Sequence, residues 1–272
     1  MIKAKKKFGQ NFLKDESVLS KIIKSTPKDD KVIVEIGPGL GDLTKKLLEI
    51  SDKVVAFEVD LELYGILQEK FKTQIAEKRL ELICADILKI WNSSSIIDSD
   101  YHLVANLPYY IATKIILKAL DDSHCKTVLV MTQKEVANKF IAKHQEKEFS
   151  ALAILAHSIS KPAVLFDVDS SSFEPPPKVT SSVLKMVKFD DYLKVDNNRG
   201  IFDSYNEYEK FKLFLRVAFK SPRKILLKNL STIYEKDKIK KHFEDLQIDQ
   251  NLRPHQLSTL HYHLLFKKII GA

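Results

Sequence analysis

The 272-residue chain has only two cysteines, Cys84 and Cys125, each in an apolar run and without paired spacing. That excludes a disulfide framework and a cysteine zinc site, and predicts reduced core thiols in a cytosolic protein. No apolar stretch approaches the ~20 residues of a membrane helix. The basic N-terminus has no apolar run behind it, so neither export nor a membrane span is expected. The eight histidines lack metal-ligand spacing, and His255, His261 and His263 are expected at the surface or an interface. There is no internal repeat, and Ser93–Ser95 is the only low-complexity run. What the chain does have is 44% hydrophobic residues, enough for a real core, and a formal charge of +8 with a pI near 9.1. Its length predicts one large domain plus a smaller one. Its charge favours a polyanionic partner, nucleic acid first.

Short β-branched runs alternate with amphipathic stretches from Ile33 onward, the pattern of crossover units on a parallel sheet. Strands are predicted over Lys31–Glu35, Val54–Phe57, Leu80–Cys84, Leu103–Ala105 and Thr127–Met131. Helices are predicted over Asp42–Ile50, Leu61–Phe71 and Ile111–Leu120. Val164–Val168 and Val183–Val187 read as a pair closing the sheet edge, joined by a loop that Pro175–Pro177 stiffens. Asp190–Gly200 is a polar linker. Helices then follow over Glu209–Phe219, Arg223–Leu230, Glu235–Phe243 and Gln256–Ile270, so the expected domains are 1–190 and 201–272.

Three strand ends carry candidate ligand groups. Glu35-Ile36-Gly37-Pro38-Gly39-Leu40-Gly41 follows the first strand, and its glycines at Gly37, Gly39 and Gly41 allow positive φ and close backbone approach. The spacing departs from the dinucleotide fingerprint and fits better a turn for S-adenosylmethionine, where no pyrophosphate needs neutralising. A tight structural turn is the bland alternative. Glu58, ending the second strand, can take both hydroxyls of a ribose. Asp60 reads as the cap of the next helix. Asp86, after the third strand, can accept from an adenine amine or simply cap a turn.

Asn106-Leu107-Pro108-Tyr109 ends the next strand. The Asn106 side chain and the Leu107 carbonyl are acceptors for the two protons of one exocyclic amine, Pro108 removes a competing donor, and Tyr109 offers a flat stacking face. Base stacking on such a ring is worth ~1–3 kcal/mol. Four residues alone equally describe a proline turn; the position after a strand, beside the glycine turn and the two acidic residues, favours the amine clamp.

With these motifs in hand the chain resembles the ribosomal RNA adenine dimethyltransferases, most closely the small-subunit enzyme. The resemblance is carried by Lys7-Phe8-Gly9-Gln10-Asn11-Phe12-Leu13, the Glu35–Gly41 turn, Glu58, Asp86, Asn106–Tyr109, Phe173-Glu174-Pro175-Pro176-Pro177-Lys178-Val179-Thr180-Ser181-Ser182-Val183 and Arg253-Pro254-His255-Gln256-Leu257-Ser258. It implies a Rossmann-like class I methyltransferase domain followed by a small all-helical C-terminal domain. It further implies that Gln10, Asn11 and Leu13 cover S-adenosylmethionine, Gly37 and its neighbours line the methionine side, Glu58 holds the ribose and Asp86 the adenine. Asn106 would bind the target amine, with Phe173 stacking opposite Tyr109. No metal is implied. The product would be N6,N6-dimethyladenosine at two adjacent adenosines of small-subunit (16S) rRNA within an immature 30S particle, made by a cytoplasmic monomer.

The family's glycine before Asp86 is Ala85 here, and Ala218–Lys224 is less arginine-rich than the family pattern. A basic arm of Lys3, Lys5, Lys6 and Lys7, and a second cluster of Lys212, Arg216, Lys220, Arg223, Lys224 and Lys228, are either an RNA grip or ordinary solvated faces. A large-subunit rRNA methyltransferase of the antibiotic-resistance type, a DNA adenine methyltransferase and a non-catalytic ribosome-assembly factor are the rival readings.

Overall fold

A computed structural model describes residues 5, 8–91, 95–189 and 202–271. Lys3, Lys6 and Lys7 of the basic arm, Ser93 and Ser94, and the Asp190–Gly200 linker lie outside the described residues. The elements are β1 (Phe12–Leu13), α1 (Glu16–Ser25), β2 (Val32–Ile36), α2 (Asp42–Leu47), β3 (Val54–Glu58), α3 (Leu61–Lys70), α4 (Lys72–Ala76), β4 (Leu80–Cys84), α5 (Ile87–Ile90), β5 (Tyr101–Asn106), α6 (Tyr109–Asp121), β6 (Cys125–Gln133), α7 (Lys134–Ile141), α8 (Ala151–Ile159), β7 (Ser160–Val168), β8 (Phe173–Glu174), β9 (Ser181–Lys188), α9 (Tyr205–Ala218), α10 (Leu226–Leu230), α11 (Lys236–Asp245) and α12 (Thr259–Ile270).

The crossover pattern produces a 7-stranded sheet in the order β4-β3-β2-β5-β6-β9-β7. From β4 to β6 every pairing is parallel, and β9 joins β6 antiparallel. The expected pair at the edge is therefore present, with β9 on the inner side of β7. The strand order reverses between β2 and β5, and the crevice beyond the carboxyl ends at such a switch point is where open α/β sheets bind ligands. Those two strands end in Ile36 and Asn106.

Strands buried on both faces need continuous apolar runs, and Val54–Phe57 and Leu103–Ala105 supply them. α1, which the sequence reading passes over, is capped by Asp15 accepting from the Ser17 and Val18 amides. It buries Val18, Leu19 and Ile22 in the same core as Ile33, Val54 and Leu129. A second, two-stranded sheet pairs β1 with β8, so the N-terminal segment is fastened to the proline loop. Lys14 N donates to the Ser172 carbonyl at 2.9 Å, and Ser172 Oγ to Asp15 at 2.9 Å.

Two compact units emerge: the chain up to Ala137 with Pro162–Lys188, and Asn138–Lys161 with the chain from Phe189. The second unit thus takes α8 from within the expected 1–190 segment. The reason is apolar burial, since Ala153, Ile154, Ala156 and Ile159 are all buried and Ser158 Oγ meets His263 Nε2 of α12 at 2.8 Å. His263, expected at the surface, is buried and stacked on Phe211 at 4.6 Å between centroids. Burial pushes its pKa down to about 4, so it is neutral at pH 7. Cys125 is buried as expected, whereas Cys84 is exposed because β4 is an edge strand.

Candidate active site

One cavity opens at the switch point. Its walls come from the N-terminal segment, the turn after β2, the end of β3, the start of α5 and the start of α6. It gathers Gln10, Asn11, Leu13, Gly37, Gly39, Glu58, Asp86, Asn106, Leu107, Pro108 and Tyr109, residues that span nearly a hundred positions of sequence.

The glycine turn does two jobs. Gly39 has φ +61°, and a Cβ there would stand 3.1 Å from the Phe12 ring, so the bare backbone lets the N-terminal segment close over the turn. Gly41 has φ +78°, and its Cβ would lie 2.6 Å from the Phe71 ring and 2.8 Å from Leu67. Gly41 does not line the cavity; the missing side chain serves the packing of α2 against α3.

Glu58 is 4% exposed and accepts three backbone amides: Gly39 at 3.2 Å, Val59 at 2.9 Å and Asp60 at 2.9 Å. Burial raises its pKa and these bonds oppose the rise. The carboxylate thus ties the glycine turn to the end of β3 and still lines the cavity. Asp86 caps α5 by accepting the Leu88 amide on Oδ1 at 3.1 Å, which leaves Oδ2 as a further acceptor. Cap and ligand readings coexist at this residue.

Glu35, near the end of β2, is buried, belongs to the cavity lining and accepts from Thr44 Oγ1 at 2.7 Å. Burial pushes its pKa up to about 8, with the Thr44 bond opposing, so the ligand-free protein holds it protonated at pH 7. Sequence reading assigned it no role; its position in an apolar strand was the only available signal.

Asp60 caps α3 as expected, accepting the Glu62 amide at 3.1 Å. It also takes Lys5 Nζ at 2.7 Å and Gln10 Nε2 at 3.0 Å, while Gln10 Oε1 accepts the Lys5 amide at 2.7 Å. Burial acts to raise the Asp60 pKa, but the Lys5 and Gln10 bonds outweigh it and hold the group below the usual carboxylate range. Gln10 is therefore spent on fastening the N-terminal segment. Nothing in the spacing of Gln10 and Asp60 announces this bond.

In the clamp, Asn106 Nδ2 donates to the Asn11 carbonyl at 3.1 Å, which leaves Oδ1 as the acceptor. The Leu107 amide is spent on the Met131 carbonyl at 3.0 Å. Proline at 108 has no amide to offer, and α6 starts directly at Tyr109. Tyr109 is half-buried, and its hydroxyl is hydrogen-bonded to Ser181 Oγ at 2.7 Å. Phe173 is not brought to the cavity. It is 4% exposed, paired in β8 with Leu13, and packed into the core with Val18 and Val183. The β1–β8 pairing turns its ring inward, so in this conformation it offers no stacking face.

In the helical unit, Arg216, Lys220, Arg223, Lys224 and Lys228 are exposed, whereas Lys212 is half-buried, paired with Glu209 at 2.6 Å and set over the Tyr208 ring.

Known proteins resemble this chain in sequence and in fold. Ribosomal RNA small subunit methyltransferase A of Campylobacter concisus is 53% identical over 268 residues, 98% of this chain and 94% of that protein. The protein of the same name from Sulfurimonas denitrificans is 51% identical over 266 residues, 98% of this chain and 94% of that one. Among solved structures, a dimethyladenosine transferase from Plasmodium falciparum superposes with a TM-score of 0.77 at 24% identity, covering 93% of this chain and 95% of that one. The 23S rRNA methyltransferase ErmE gives 0.73 at 20% identity over 96% of this chain and all of that one, which establishes a shared fold. The family model for ribosomal RNA adenine dimethylase matches residues 1–270. With a match of that extent and relatives of that identity, the chain belongs to the ribosomal RNA adenine dimethylase family.

Proposed function

We propose that this enzyme transfers methyl groups from S-adenosylmethionine to the N6 amines of two adjacent adenosines in a hairpin loop near the 3′ end of small-subunit (16S) rRNA, within an immature 30S particle. The products are N6,N6-dimethyladenosine and S-adenosylhomocysteine. The observation that carries the reading is the meeting of the Asn106 clamp with Glu58, Asp86 and the glycine turn in one cavity. The small-subunit target follows the name shared by the 46–53% identical relatives.

The cavity suits an adenosyl ligand. Gly37 and Gly39 bring bare backbone to its wall, with Glu58 and Asp86 as acceptors for ribose hydroxyls and an adenine amine. Gln10, Asn11 and Leu13 form the covering side. When bound, the cofactor supplies an electrophilic sulfonium methyl. The protein's own part is to prepare the nucleophile. An adenine N6 lone pair is delocalised into the ring; hydrogen bonds from its two N–H groups to Asn106 Oδ1 and the Leu107 carbonyl would favour a pyramidal, nucleophilic nitrogen, and the proton it loses on methylation would pass to solvent. Tyr109 steadies the ring by stacking. Catalysis is then positioning and electrostatics, with no metal and no covalent enzyme intermediate. In this reading the helical domain and the basic arm grip RNA, so binding weakens steeply with added salt. The enzyme works as a monomer in the cytoplasm.

The test is to incubate the protein with immature small subunits, large subunits and DNA, then identify modified nucleosides by mass spectrometry. Dimethyladenosine confined to the small subunit is expected; modification of only the other substrates overturns the target.

A further inference from the structure

The clamp is followed by a second tyrosine, and both tyrosines line the cavity. Tyr109 is half-buried and its hydroxyl is committed to Ser181 on β9. Tyr110 is 60% exposed and also lines the cavity, as do Asp86, Glu58 and Gly9. Its ring lies against the backbone of Gly9, where a Cβ would stand 3.1 Å from Cδ1 and 3.4 Å from Cε1. Gly9 has φ +59°, so glycine suits both the turn and the contact. Burial raises the Tyr110 pKa, and the Asp86 and Glu58 carboxylates raise it further. Among the described residues no other aromatic ring stacks on Tyr110. A flat ring that lines the cavity and stays exposed is available for a ligand to stack on.

We infer that Tyr110 is a cofactor-binding residue: its ring, backed by Gly9, forms the platform for the adenine of S-adenosylmethionine beside Asp86, while Tyr109 serves the target adenine. This rests on the proposed cofactor reading of the cavity. Two consecutive tyrosines then sort two adenines, because successive residues at the start of a helix project about 100° apart.

The test is calorimetric binding of S-adenosylhomocysteine, and of 5′-methylthioadenosine, which lacks the amino-acid end, to the full chain without RNA. Tyr110→Ala is expected to weaken both ligands by the same factor, roughly ten-fold, the scale of one lost base–aromatic stack. Tyr110→Leu, which keeps an apolar contact with Gly9 but no flat face, should lose nearly as much, and Tyr110→Phe should stay close to native. Unchanged binding of both ligands to Tyr110→Ala or Tyr110→Leu overturns the inference, as does a loss confined to RNA affinity. If the native chain binds neither nucleoside, the cofactor reading itself fails and takes this inference with it.

Discussion

The side-chain amide of Asn106 donates to the backbone carbonyl of Asn11 at 3.1 Å across 95 positions of sequence. The residue expected to hold the target amine is thereby oriented by the segment expected to cover the cofactor. Because one end of the amide is spent on Asn11, the oxygen is left as an acceptor.

Removing that oxygen should act on turnover. Asn106→Ala is expected to lower kcat by roughly 10²–10³, the scale for loss of one positioned hydrogen-bonding group in a transition state. The Kd for S-adenosylhomocysteine, measured by calorimetry, should move only slightly. A cofactor affinity that falls as far as kcat would show that Asn106 acts mainly through the N-terminal segment.

Glu58→Gln should behave in the opposite way. The carboxylate accepts from the Gly39, Val59 and Asp60 amides, and an amide group presents a donor to one side of that set. Cofactor affinity is expected to fall roughly 10–100-fold, the scale of hydrogen bonds to a charged group. Binding titrations check this, and a native-like Kd would remove Glu58 from the ligand site.

Glu35 predicts a pH dependence of stability. Its pKa is about 8 in the folded protein, against an ordinary value of 4.5. A raised folded pKa means the stabilising contribution is complete below about pH 4.5 and is lost as pH rises toward 8. Glu35→Gln carries no such titration, so its stability relative to native should improve between those values and level off above pH 8. Urea unfolding of the ligand-free proteins across this range is the measurement, and a constant difference would contradict a buried, protonated Glu35.

Phe173→Ala should be a folding mutant. The ring is packed among Leu13, Val18 and Val183, and its loss leaves a cavity costing about 3–5 kcal/mol. A drop of that size in unfolding free energy is expected; an unchanged denaturation midpoint with lost activity would mean that the ring leaves the core to reach substrate.

Much of the first unit was legible along the chain. β-branched runs separated by amphipathic stretches mark the parallel strands and their helices, and β3 and β4 begin at the predicted Val54 and Leu80. The glycine turn, Glu58, Asp86 and the clamp could be ranked because each follows a strand. Less was legible where burial depends on a partner remote in sequence. Nothing local tells that the apolar run Ala151–Ile159 packs with α12, or that the Gly41 side of its turn faces Phe71. The two-residue strands β1 and β8 have no periodicity at all, and each exists only because the other is there.

By itself, then, the sequence marked most strands of the sheet, the helices α2, α3 and α6 and the residue types at the strand ends, because backbone preference and hydrophobic period act over a few neighbouring residues. Tertiary structure decided which of those residues share a cavity. It turned Phe173 inward, committed Gln10 to Asp60, bonded the Tyr109 hydroxyl to Ser181, laid the Tyr110 ring on Gly9 and oriented Asn106 through Asn11. Those outcomes depend on which distant segment removes a side chain from water or satisfies its polar atoms, and neighbouring residues carry no record of it.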